Sequence, residues 1–340
     1  LKLAPFAPMG VSFLPGTHIP VTGAQDNVRI WDFPKVRDIP VKGLAMFKFS
    51  PGYGHAIGDL YDPTGQQKKQ VKIDLNKEKV VKKITGPSKM GYLNSVGENA
   101  DTYTIIDFQM KPNDPMSTTY NGVVMDSKKG KVAKTFQHST QLLNGPGDLF
   151  VVDSIGMSRK LMNMQGKVIR DFPGDTTDQF LYAYLLSNDK KYAMGYISGE
   201  SKQDDEGNYM TRVAAWEVET GKRVFDQWVS GLSFLGYQIS PDHSLYALSS
   251  YNNIIYIYDF KTGKKLLELK GHAVWAQELA FSDDSKRLIS GSMDGTRKVW
   301  NLETGKEQVS LVSIGKKDYA IVTPDQYYYS TRGATSNIHF

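Results

Sequence analysis

Cysteine is absent from all 340 residues. That excludes a disulfide framework, a thiolate nucleophile and any cysteine-ligated metal site. It leaves the compartment open, since cysteine-free chains occur on both sides of the redox divide. No apolar run reaches the ~18 residues of a membrane helix, and no charged-then-apolar leader precedes the first strand pattern. The chain opens on Leu1 rather than Met, which reads as a processed or excised product, cytoplasmic or exported. The histidines are few: His18, His55, His138, His243, His272 and His339, none within three to five residues of another. Zinc-type pairs are therefore missing. There is no Gly-Lys-Ser/Thr phosphate loop and no Gly-x-Ser-x-Gly elbow; in Gly195-Tyr196-Ile197-Ser198-Gly199 the serine stands one place too late. Asp204-Asp205-Glu206 lacks the spacing of a calcium loop. We expect no metal, no cofactor and no catalytic residue. Charge of one sign is also scarce: 41 basic against 36 acidic residues gives +5, too mild for the concentrated patch of a nucleic-acid binder.

What is present favours strands. Hydrophobic residues make up 40% and aromatics 11%, with 31 glycines and 15 prolines as punctuation. The stretch Gly271–Lys306 reads as three short strands. Leu279 and Phe281 alternate with polar residues before the Asp283-Asp284-Ser285 turn. Leu288-Ile289-Ser290 follows, and Met293-Asp294-Gly295 leads into Arg297–Trp300. Asp-Gly between such runs is a hairpin signal, because the tight turn requires positive φ.

Shifted back by 42 residues, the unit recurs without a gap: Trp300 falls on Tyr258 and Thr304-Gly305-Lys306 on Thr262-Gly263-Lys264. A second shift of 42 matches Trp216–Lys222 to Trp300–Lys306. A period of ~40–45 residues fits a four-stranded propeller blade. The Gly-Lys step recurs at 130, 166, 221, 263 and 305. Other units are read at about 10–41, 44–86, 89–137, 138–174 and 178–229, the last with a polar insert at Gly199–Tyr209.

Gly271-His272, Asp294, Trp300-Asn301 and the dipeptide Trp31-Asp32 resemble the marker positions of the WD-repeat family. The resemblance implies an all-β propeller of four-stranded antiparallel blades over residues 1–340. It also implies a buried hydrogen-bonded chain of His272, Ser290, Asp294 and Trp300, structural rather than chemical. Thr22, Asp26 and Trp31 occupy the corresponding places in the first unit, without a histidine. Seven units are visible. Residues 313–340 are a partial blade or tail, giving seven blades; the alternative is an eighth blade completed by Leu1–Phe6. The segment Thr323–Tyr328 resembles, more narrowly, the junction after the propeller in bacterial proteins joined to a caspase-like peptidase.

For function, the family resemblance places Trp275 near the central channel on one face. Repeat shifts place Ser233 and Phe180 at equivalent positions, and Tyr251 and Met293 precede turns of that face. Large aromatics there make binding anchors. The main reading is a non-catalytic scaffold for a protein or peptide partner. Alternatives are a sensor domain of a longer, peptidase-linked protein and a propeller hydrolase. The lysine run Lys68, Lys69, Lys72, Lys77, Lys79, Lys82, Lys83 is read as guarding solvent-facing strands, not as a nucleic-acid site.

Overall fold

Short runs of β-branched and aromatic residues, cut by Gly, Asp, Asn and Ser, fold into consecutive antiparallel meanders. The computed structural model describes residues 10–335 except 25, 51–53, 62–66, 86–90, 112–113, 146–147, 155–158, 173–179, 206, 208, 231–235 and 315–316. These residues form an all-β fold, a β-propeller of seven antiparallel blades with strands in sequence order, six of four strands and the seventh continued to six. No helix among them is long and apolar enough to cross a membrane.

Turn chemistry repeats from blade to blade. Gly130, Gly221, Gly263 and Gly305 have φ of +67°, +72°, +69° and +68°. Each donates its N–H to the carbonyl four residues earlier, on Asp126, Glu217, Asp259 and Asn301, at 2.8–2.9 Å. This left-handed conformation is why glycine stands in the Gly-Lys step. Gly166 closes a tighter turn onto Asn163. At the same end of the blades, in the turn between first and second strands, Ser187, Ser240 and Ser282 each donate to an aspartate two residues on, at 2.5–2.7 Å. The same hydroxyls accept the N–H of Tyr192, Leu245 and Arg287 at 2.9–3.0 Å. A register shift falls at one place in the pairing of third and fourth strands in six blades: at Ile73, Met125, Met162, Trp216, Tyr258 and Trp300.

Two compact units divide the chain: residues 47–230, and residues 1–46 with 231–340. In the first, successive residues of one strand feed different cores, as the two-residue strand period requires. Ile105 and Val123 pack with Ile57, Leu93 and Tyr103 of one core, whereas Ile106 and Val124 pack with Phe136, Leu142 and Phe150 of the next. Leu143 and Val151 join Phe172, Ala214 and Trp216 in a third. Both faces of a blade are thus buried, which is why its inner strands read as near-continuous hydrophobic runs.

The second unit contains the first, sixth and seventh blades. The sixth runs Tyr237–Ile239, Leu245–Ser249, Ile254–Asp259, Lys265–Lys270; the seventh Ala276–Phe281, Arg287–Ser292, Thr296–Asn301, Lys306–Ile314; the first Val11–Phe13, Pro20–Ala24, Asn27–Ile30, Arg37–Pro40. Ile255, Ile257, Leu279, Leu288 and Trp300 form the core between sixth and seventh. Val11, Phe13, Trp31, Ile289, Val299 and Leu311 form the core between seventh and first. Gly16 N–H and His18 Nε2 meet the side chains of Asp283 and Asp284 at 2.6 and 2.9 Å.

That direct packing of the seventh blade on the first overturns the eight-blade alternative. The strands Asp318–Val322 and Tyr328–Ser330 do not start a new blade but extend the seventh outward into a six-stranded sheet. A short helix, Arg332–Thr335, follows. Residues 1–6 and 337–340, assigned to the eighth blade in that alternative, lie outside the described residues. The polar insert is a hairpin extension, with Lys202 opposite Met210 and Gln203 opposite Tyr209.

Candidate functional site

The seventh blade's marker residues converge. Trp300 donates its indole N–H to Ser290 Oγ at 2.8 Å, and His272 Nε2 lies 2.7 Å from the same oxygen. His272 Nδ1 contacts Asp294 Oδ2 at 2.9 Å. Asp294 also accepts the N–H of Ala273 at 3.0 Å, the N–H of Thr296 at 2.8 Å and its hydroxyl at 2.7 Å. Burial opposes ionisation of Asp294, but the hydrogen bonds from His272 and Thr296 hold its carboxyl well below the usual carboxylate range. Gly271 admits this arrangement: a Cβ there would come within 3.1 Å of both the Trp300 ring and Glu307 Oε2.

In the first blade Trp31 donates to Thr22 Oγ1 at 2.8 Å, as Trp300 does to Ser290. Asp26 behaves differently. Its φ is +61° and its carboxylate accepts the N–H of Gly43 at 2.7 Å, on the loop leaving its own blade. Asp294 instead fastens Ala273, on the loop entering its blade.

The loop of residues 271–275 is held from two sides. Asn253 Nδ2 of the sixth blade donates to the Ala273 carbonyl at 3.0 Å, and Ser292 Oγ donates to that of Val274 at 2.7 Å. Trp275 stands half-buried on this loop, edge-on to Tyr251 with ring centroids 5.0 Å apart at 88°. Met293 touches the same loop through its N–H, 3.4 Å from the Trp275 carbonyl. Tyr251 is 52% exposed and Met293 55%. The structure thus brings Trp275, Tyr251 and Met293 together across two neighbouring blades. Ser233 and the side chain of Phe180 lie outside the described residues.

Two features of this site escaped the sequence reading. The Trp275 indole nitrogen and Gln277 Oε1 are buried without a hydrogen-bond partner among the described residues. Asn253 was signalled only by its turn position, where φ is +67°. In the lysine run, Lys72 pairs with Asp101 at 3.0 Å and Lys77 with Asp74 at 3.2 Å, so part of that charge is neutralised locally. No group of three or more metal-ligating side chains gathers among the described residues.

The family model described as "WD domain, G-beta repeat" matches residues 263–301, the span that holds His272, Ser290, Asp294 and Trp300. Residues 263–301 are a WD repeat set in a β-propeller. This propeller is similar to WD repeat-containing protein 1 of Gallus gallus, 38% identical over 68 residues, covering 19% of the chain and 11% of that protein. It is similar to transcription factor unc-37 of Caenorhabditis elegans, 29% identical over 114 residues, 34% of the chain and 18% of that protein. Apoptotic protease-activating factor 1 of Danio rerio matches at 29% over 112 residues, 33% of the chain and 9% of that protein. The chain spans less than a fifth of the length of each of these relatives.

Proposed function

We propose that residues 1–340 act as one non-catalytic propeller domain that captures a protein or peptide segment, with the Tyr251–Trp275–Met293 cluster as the contact. The observation that carries this reading is the pairing of two exposed side chains, Tyr251 and Met293, with a half-buried tryptophan on a loop hydrogen-bonded from both sides. Large aromatics on a fixed backbone lose little entropy on binding and supply the anchors of interfaces.

A hydrolase is the competing reading, because Ser290, His272 and Asp294 have the distances of a Ser-His-Asp relay. Ser290 is fully buried, the His272 side chain is 1% exposed, and the serine oxygen already holds the Trp300 indole. A nucleophile needs access to substrate, and this one has none, so the trio is assigned to holding the blade together.

Affinity capture with the intact protein, followed by mass spectrometry, identifies the partner. The double variant Tyr251→Ala, Met293→Ala should then lose capture by ~10-fold or more with an unchanged melting temperature, both side chains being more than half exposed. Undiminished capture would show that the partner sits elsewhere.

A further inference from the structure

The basic excess of this chain is gathered in one place. Residues 69–84 and 126–134 hold ten lysines and no arginine. Against them stand four carboxylates: Asp74, Glu78 and Asp126 within the two segments, and Asp101, which pairs with both Lys72 and Lys128 at 3.0 and 2.7 Å. The local excess is six charges in a chain whose total is +5, so the remaining residues are close to neutral.

Folding joins the two segments. Lys79–Ile84 is the fourth strand of the second blade, and residues 127–130 turn the third blade into its own fourth strand, Lys131–Gln137. Lys82 Nζ donates to the Lys128 carbonyl, and a Cβ on Gly130 would lie 4.0 Å from Ile84 Cγ2, so the turn rests against the neighbouring strand. The two-residue strand period turns Lys79, Val81 and Lys83 to solvent, and Lys131 and Val132 are exposed on the adjoining strand. Asp74 and Asp126 hold Lys77 and Lys129 at 3.2 and 3.5 Å. Lys79, Lys83 and Lys131 form no ion pair among the described residues. Like charges crowded on a folded surface repel one another, and an opposing anionic surface relieves that repulsion.

The residue types select among anions. Arginine forks grip phosphates and base edges bidentately, and aromatic rings stack bases; both are missing from these segments. Lysine is depleted in protein–protein interfaces. Flexible ammonium groups beside small exposed apolar side chains, Val81 and Val132 at 41% each, suit a diffuse anionic layer with an apolar interior beneath it. We propose that this part of the second and third blades binds the surface of a bilayer rich in anionic lipid, its lysines over the headgroups and its two valines toward the acyl boundary.

Cosedimentation of the intact protein with phosphatidylcholine vesicles carrying rising fractions of phosphatidylserine tests this. Binding should rise with phosphatidylserine and fall as salt shortens the reach of the charges. The triple variant Lys79→Gln, Lys83→Gln, Lys131→Gln should bind ~100-fold more weakly, about fivefold for each lysine taken from an anionic surface. All three side chains are exposed, so its melting temperature should match that of the wild type. Lys261→Gln, Lys264→Gln, Lys306→Gln removes the same charge from exposed positions of the sixth and seventh blades and should bind as the wild type does. A wild type indifferent to phosphatidylserine at low salt overturns the proposal, as does an equal loss in both triple variants. Retention on duplex DNA without vesicle binding also overturns it and assigns the patch to nucleic acid.

Discussion

His272 Nε2 lies 2.7 Å from Ser290 Oγ, closer than any hydroxyl in a blade core needs to be to an imidazole unless it uses that ring as its partner. The pair joins the loop entering the seventh blade to its second strand. Its environment decides its role: both side chains are withdrawn from solvent, and Trp300 and Asp294 occupy the remaining hydrogen-bonding positions.

Ser290→Ala should therefore act on stability and not on any reactivity. It leaves the Trp300 indole and one His272 nitrogen without their partner, at a cost of about 1–3 kcal/mol. Urea unfolding of the variant measures this. A serine-reactive phosphonate should label neither protein, and labelling of the wild type that the variant abolishes would restore the hydrolase reading.

Asp294 makes the seventh blade acid-sensitive. Its folded carboxyl titrates below the unperturbed 3.8, so the unfolded chain takes up the proton more readily than the folded one. The stabilisation is complete above pH 3.8 and is lost as pH falls through the folded value. Urea midpoints of wild type and Asp294→Ala should differ most near neutrality and converge on acidification below that range. A gap independent of pH would mean that the ionised carboxylate is not what holds the loop.

Arg29→Met keeps much of the side-chain volume and removes the fork that ties strand Arg37–Pro40 to Ser313 and Asp318. The loss should be about 2–4 kcal/mol, on the scale of breaking a buried charge-assisted network. Hydrogen exchange should accelerate selectively across residues 318–331. Uniform acceleration throughout the chain would show that the arginine supports the fold generally and not this hairpin.

Gly305→Ala isolates the conformational demand of one repeated turn. The new Cβ would meet only Leu267 Cδ2, at 3.4 Å, so crowding is minor and the positive φ is the obstacle. The expected cost is about 1 kcal/mol, and Gly263→Ala should cost the same. A chemical-denaturation series on both variants checks this; an unchanged midpoint would mean that the turn relaxes freely.

Most of the blade plan was legible in the chain because its signals are local. The 42-residue spacing, the glycine turns and the alternation of apolar residues each depend on near neighbours only. Trp300, Ser290 and Asp294 fall within one such hairpin, so their meeting followed from the repeat. Contacts between blades carried no such signal. The Tyr251–Trp275 contact joins residues of different blades, and the Arg29 network joins positions nearly three hundred residues apart.

Sequence by itself determined strands, turns and the antiparallel meander, since backbone dihedrals and a two-residue period act over a few residues. Only the tertiary structure decided that Asp318–Ser330 continues the seventh blade instead of opening an eighth, because either pairing satisfies the same local pattern. Packing of Phe13 and Trp31 against Ile289 and Val299 already fills the flank an eighth blade would need. Among the described residues the tyrosine hairpin is the outermost part of that sheet, and Arg29 fixes its base at Asp318.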